Sequence, residues 1–245
     1  MKIIIHPNSL VLKFLIIIGL LLLANIAGLA AKFCCGIYHV YGLGPLVDFN
    51  TEQNIPSFYS ACTLLFCSLL LYSIAMQHKS KMQPFFGWLG LSVIFLFLSI
   101  DEIGSVHELL VEPVKSHFGT SGMLFYAWVI PYGIALLCLA ALYARFLLRL
   151  PRRTMFLFVS GGVVFVLGAI GLELFGGKIH DDIGISGSIA HVLSGDALRF
   201  AIFYTIEELL EMIGVVIFIY GLLTYIVDEL GTLKIKMRHP KTQQP

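Results

Sequence analysis

Eight residues of this chain have the types and spacing to do chemistry together: Asp101 and Glu102, His107 and Glu108, Glu173, and Glu207, Glu208 and Glu211. Carboxylates joined by histidine form the donor set of iron, manganese and, where the histidine takes part, zinc sites. Carboxylates crowded in a low dielectric otherwise hold protons. On a helix turning about 100° per residue, Glu207, Glu208 and Glu211 fall within an arc of about 100° and share a face. Asp101, Ser105, Glu108 and Glu112 would share another if one helix ran unbroken to the residue before Pro113, with Glu102 and His107 then pointing elsewhere. Gly104 is the residue able to break that register. The Glu-x-x-His spacing of the bundle di-iron and di-manganese proteins is absent, since Glu208-Leu209-Leu210-Glu211 ends in a carboxylate.

The elements that must carry these groups are apolar almost throughout. Hydrophobic residues make up 58% of the 245, charged residues only 13%, and the mean hydropathy is +0.89, which excludes a cytosolic enzyme, a secreted disulfide scaffold and a nucleic-acid-binding module. Runs near the length of about 20 residues that crosses a bilayer recur at about 11–31, 58–76, 85–103, 122–144, 154–174 and 200–227. The expectation is an all-α polytopic bundle of six spans forming a single transmembrane domain over 1–245, with membrane lipid as its surroundings. Lys2 and Lys13 ahead of the uncharged stretch Phe14 to Ala31 also fit a cleaved leader, but that stretch is longer than the usual leader core.

Charge sidedness orients the bundle. Twelve of the 16 Lys and Arg fall on the side of both termini, among them Lys79, Lys81, Arg145 to Arg153 and the basic tail from Lys234, so that side is expected to be the cytoplasm. Thirteen of the 15 acids fall on the other side, for a balance of −9 there against +10 inside. The positive-inside tendency does not account for the acids, because Asp and Glu contribute little to orientation. Counted back from Asp228, Glu211 lies about 25 Å up a hydrocarbon core about 30 Å thick, where a carboxylate is costly and tends to face a bundle interior.

Other residues carry plainer expectations. Asp48, Glu52, Asp181 and Asp182 read as solvated loop acids, although 48–57 is placed to lie across the site as a lid. His180 and His191 read as solvated loop histidines, Arg199 as a basic partner within reach of Glu207 or Glu211, and the five cysteines as small buried hydrophobes. Trp128 and Trp88 fall at the two boundaries expected of aromatic belts, and Gly161, Gly162, Gly168 and Gly171 suit close helix packing.

The runs Phe95-Leu-Phe-Leu-Ser-Ile-Asp-Glu, His107-Glu108 and Tyr204-Thr-Ile-Glu-Glu-Leu-Leu-Glu-Met-Ile-Gly resemble a family of uncharacterised bacterial multi-pass membrane proteins. That resemblance implies a bacterial inner membrane and no particular activity. From the residues alone the leading expectation is a divalent metal (iron, manganese or zinc) held at the outer leaflet for chemistry on a lipid or other apolar substrate. The alternatives are a cation- or proton-coupled transporter, which usually needs polar groups through both leaflets, and a non-catalytic accessory subunit. The charge split makes a direct prediction. A reporter active only outside the cytoplasm should give signal when fused after residue 190 and none after residue 240; the reverse pattern would overturn the orientation.

Overall fold

The computed structural model describes residues 6–36, 42–186 and 195–231, with the backbone alone for 183–186; His191 and the basic tail lie outside them. Within these residues the chain is helical and has no strand. Six helices are long and apolar enough to cross a membrane: α1 (Pro7–Cys35), α3 (Ile55–Ser80), α4 (Phe86–Gly104), α6 (Val129–Leu147), the run Arg152–Asp182 and the run Gly195–Leu230. The short helices α2 (Leu43–Val47) and α5 (Val111–Phe118) lie in the connections. The fifth span is built from α7 (Arg152–Val166), a π-helical turn (Leu167–Leu172) and α8 (Glu173–Ser186). The sixth is α9 (Gly195–Tyr225), extended by a second π turn (Ile226–Leu230).

The boundaries depart from the apolar runs where the chain supplies its own caps. Pro7 opens α1, and α3 opens on a reciprocal cap in which Ser57 N donates to Asn54 Oδ1 at 3.0 Å and Asn54 N donates to Ser57 Oγ at 2.9 Å. The fourth span begins at Val129 instead of about 122, because 122–128 is a 3-10 turn and a bend. The fifth continues past 174 to Asp182, so Asp181 and Asp182 sit on a helix. Asp181 Oδ2 caps the neighbouring turn by accepting from Gly122 N at 2.6 Å, which corrects the reading of this acid as a solvated loop residue.

α9 is the hub. Of its apolar window 67% is buried, against 11% for α1 and 6% for α6, so the helix bearing Glu207, Glu208 and Glu211 is the one surrounded by others. At the end away from these acids, Leu71 and Ile74 of α3, Trp88 of α4, Phe158 of α7 and Ile219 and Leu222 of α9 close into a dry core. Small polar groups join α3 to α4: Ser68 Oγ and Ser92 Oγ donate to each other's backbone carbonyl at 2.8 and 2.9 Å, and Ser99 Oγ donates to Ala61 O at 2.8 Å. Such bonds draw helices together where lipid supplies no hydrophobic drive.

The two tryptophans stand at the expected ends of the bundle but turn inward. Trp88 is 2% exposed in the core beside Tyr225, and Trp128 is 8% exposed with its indole N–H bonded to Glu173. An acceptor inside outweighs a place at the lipid boundary. The cysteines are also corrected: all five are free, and Cys67 alone is buried.

The glycine expectation is met at Gly161 and Gly168, where a Cβ would stand 2.9 Å from Gly214 O and 2.7 Å from Glu207 O, and not at Gly162, where it would meet nothing within 4 Å, or at Gly171, whose nearest neighbour would be 3.7 Å away. A Cβ on Gly214 would stand 2.6 Å from Phe165 N and 2.8 Å from Gly161 O, whereas one on Gly19 of α1 would meet nothing within 4 Å. Gly214→Ala should therefore cost about 1–3 kcal/mol by forcing the helices apart, and Gly19→Ala should be neutral or mildly stabilising. Thermal unfolding in detergent checks this, and equal midpoints for the two variants would refute the close crossing.

Candidate functional site

All eight residues singled out by type and spacing line one cavity of about 460 Å3 at the acidic end of the bundle. They arrive from three spans and a connection. Asp101 and Glu102 end α4, His107 and Glu108 follow it, Glu173 opens α8, and Glu207, Glu208 and Glu211 lie on α9. Glu52 and Glu112 line the same cavity, bringing the carboxylates to nine.

Local backbone places each group. α4 stops at Gly104, and Ser105 takes a left-handed conformation (φ 49°), so the unbroken register over 101–112 does not occur. The chain doubles back instead: His107 N donates to Asp101 Oδ1 at 2.8 Å, and His107 Nδ1 stands 3.4 Å from Asp101 Oδ2. Asp101, 6% exposed, also accepts from Tyr132 OH at 3.1 Å. Both oxygens of Asp101 thus serve protein donors and fix the His107 ring, a carboxylate–histidine arrangement common behind metal ligands. His107 presents its other nitrogen, Nε2, to Glu52 Oε1 at 3.3 Å.

The π turn Leu167–Leu172 sets the rotation of Glu173, which follows it directly. Gly168 lets that turn lie against the acidic stretch of α9, since a Cβ there would stand 2.7 Å from Glu207 O and 3.0 Å from Glu211 Cγ. Glu173 accepts from Trp128 Nε1 at 3.1 Å and lies within hydrogen-bond reach of Glu207.

Glu52 is the group the sequence reading misplaced. It is not a solvated loop acid: it contacts His107, and its Oε2 is buried with no hydrogen-bond partner among the described residues. Its loop is fixed by Asn25 of the first span, which donates to Thr205 Oγ1 at 3.0 Å and accepts from Phe49 N at 3.1 Å. Asn54 donates to Asp48 O at 2.7 Å within the same loop, where Asp48 is buried as well. Composition alone offered one signal, the placement of 48–57 across the site. The basic partner expected of Arg199 is also absent from the site, because that guanidinium pairs with exposed Asp196 at 3.3 Å. The charges acting on Glu211 are those of Glu208, Glu102 and Glu173, with His107 opposing them. His180 lies on α8 and bonds to Tyr126 OH.

Ligand atoms of Glu52, His107 and Glu108 lie within 4.8 Å of one another, a span comparable with twice the bond length of about 2.0–2.6 Å that divalent ions make. The orphaned Glu52 oxygen, the oriented imidazole and the surplus of carboxylates fit such an ion. Electrostatics outside the spans run the same way. Burial raises the Glu108 carboxyl above its usual range, the charge of Glu52 adds to the rise, and His107 opposes it. Burial and then the charges of Glu173, Glu207 and Glu108 also raise the Tyr126 phenol.

A model of the family described as "Domain of unknown function (DUF8692)" matches residues 14–226. The chain belongs to this family. The DUF8692 match covers every carboxylate of the cavity and accords with the resemblance noted from the sequence. No curated protein and no solved structure matches the chain.

In the metal-free protein His107 answers the acids with its own charge. Burial works against its imidazolium, but the hydrogen bonds and charges of Asp101 and Glu52 outweigh burial and raise it to about 10. Because the folded value exceeds the ordinary one near 6.5, this stabilisation is complete below pH about 6.5 and is lost as pH rises through about 10. The melting midpoint in chelator should therefore fall between pH 7 and 10, with a shallower fall in His107→Gln. Parallel profiles for the two would show that the imidazolium does not neutralise the site.

Proposed function

We propose that this protein holds a divalent cation, iron or manganese before zinc, in a cavity opening toward the outer leaflet, and uses it on a lipid or other apolar substrate. Glu52, His107 and Glu108 are the first ligands, Asp101 orients the imidazole, and Glu102, Glu208 and Glu211 complete the donor set. The observation that carries this reading is the convergence of nine carboxylates on one oriented histidine inside a membrane-type bundle. Such a group cannot remain ionised without a cation or retained protons. An oxygen-rich donor set with one imidazole suits manganese or iron(II), whereas zinc favours nitrogen and sulfur.

A bound ion of this kind supplies Lewis acidity and a water acidic enough to act as a nucleophile near neutral pH. The chain's own groups supply the remainder. Tyr126 stays a phenol able to donate, and Phe49, Phe165 and Phe200 line the cavity. A bacterial inner membrane with both termini cytoplasmic is the setting that the charge sidedness and the resemblance support. Enzyme chemistry is favoured over transport because the dry cluster of Leu71, Ile74, Trp88, Ile219 and Leu222 stands at the other end of the bundle, where a conducting path would have to continue.

Metal analysis of detergent-purified protein, paired with melting in added manganese and in chelator, tests this. At an ion concentration about 100 times Kd the folded state should gain about 2.7 kcal/mol. Glu108→Gln and Glu211→Gln should insert and fold but bind metal at least about tenfold more weakly, while Asp196→Asn, outside the cavity, should bind normally. A verified metal-free preparation whose midpoint ignores every divalent ion would overturn the proposal.

A further inference from the structure

The cavity is walled by aromatic rings as well as acids, and that pairing narrows the substrate. Phe125, Tyr126, Trp128, Phe200 and Tyr204 all line it. A metal ion needs no aromatic wall, and an anionic ligand would meet nine carboxylates. A ring face beside carboxylates is instead the recognition chemistry of an organic ammonium, drawn both by the ring quadrupole and by charge.

The chain displays that recognition with a side chain of its own. Lys115, on α5, lines the cavity and holds its Nζ 4.1 Å from the centre of the Phe125 ring. Among the described residues the Lys115 ammonium forms no ion pair, although carboxylates surround the cavity; it takes the ring. Leu109 and Phe118, at either end of the segment carrying Lys115, are 70% and 66% exposed.

We propose that the group taken into this cavity is an alkylammonium, either the head of an amine-bearing lipid or a free amine, seated against Phe125 in the place that Lys115 holds here. The inference rests on the lipid or apolar substrate of the preceding section and is independent of the metal. Lys115 is then a tethered competitor that the incoming ammonium displaces. A cavity of about 460 Å3 has room for a choline-sized head and the first carbons of a chain.

The two tryptophans give a readout, because Trp128 lines the cavity and Trp88 is buried in the core. Full-length protein in detergent is titrated with choline, with butylammonium and with the neutral choline isostere 3,3-dimethylbutan-1-ol, with and without chelator. A saturable change in Trp128 emission is expected for both cations, with the alcohol at least about tenfold weaker. Lys115→Met should tighten ammonium binding by about threefold or more, since it empties the seat, and Phe125→Leu should weaken it by about tenfold. Lys115→Met changes a side chain at the rim of the cavity, so it keeps the test open if Phe125→Leu does not fold.

Equal response to the alcohol and the cations, no response at all, or a Lys115→Met variant that binds ammonium more weakly would each overturn the proposal. Competition of the choline signal by phosphatidylethanolamine but not phosphatidylglycerol in nanodiscs assigns the lipid source, and its absence assigns the free amine; either result upholds the ammonium. Ammonium discrimination in a protein that binds no metal would sink the metal reading alone. Metal binding without discrimination would sink this one alone.

Discussion

Nine carboxylates facing one cavity in an otherwise apolar bundle form the constraint on which the rest of the structure turns. Each ionised carboxylate moved out of water costs several kcal/mol, and their mutual repulsion adds to that cost. The protein offsets part of it locally: Asp101 takes donors from His107 and Tyr132, and Glu173 takes the Trp128 indole. The remainder falls on Glu102, Glu208 and Glu211, whose neighbouring charges are chiefly those of other acids, Glu52 and Glu173 among them, with His107 opposing them. A polar concentration of this kind inside a span marks function far more often than architecture.

The scaffold is shaped to tolerate that concentration. α9 carries the deepest acids and is also the most enclosed span, with α7 brought against it at Gly161 and Gly214. The π turn that precedes Glu173 and the left-handed Ser105 that precedes His107 both interrupt regular helices immediately before a cavity residue. At the far end, stacked rings such as Phe158 on Phe218, with centroids 4.2 Å apart, form a dry core that bears the packing. Packing and polar chemistry thus occupy opposite ends of the same helices, and one end can be wet without disturbing the other.

What the sequence revealed follows the range of each interaction. Six spans were legible because hydropathy is local, and the shared face of Glu207, Glu208 and Glu211 because helical periodicity is local. That Asp101 and Glu102 would meet them was an argument from depth alone, and the cavity does bring these residues together. Glu52 was not legible, because its place depends on Asn25 reaching Phe49 and Thr205 across 24 and 180 residues of chain. The turn that aims His107 was missed for a different reason: the left-handed position falls on Ser105, next to the glycine that drew attention. Arg199 looked like a partner in sequence and finds a nearer acid one turn away at Asp196.

The central claim is that a cation sits at His107 among these acids. Electron spin echo spectroscopy of manganese(II) added to the purified protein tests it most directly, because modulation from an imidazole nitrogen appears only when histidine coordinates the ion. The account predicts imidazole modulation in the wild type that disappears in His107→Gln while the variant remains folded. Manganese that stays free in solution, or a nitrogen signal unchanged by His107→Gln, would contradict it.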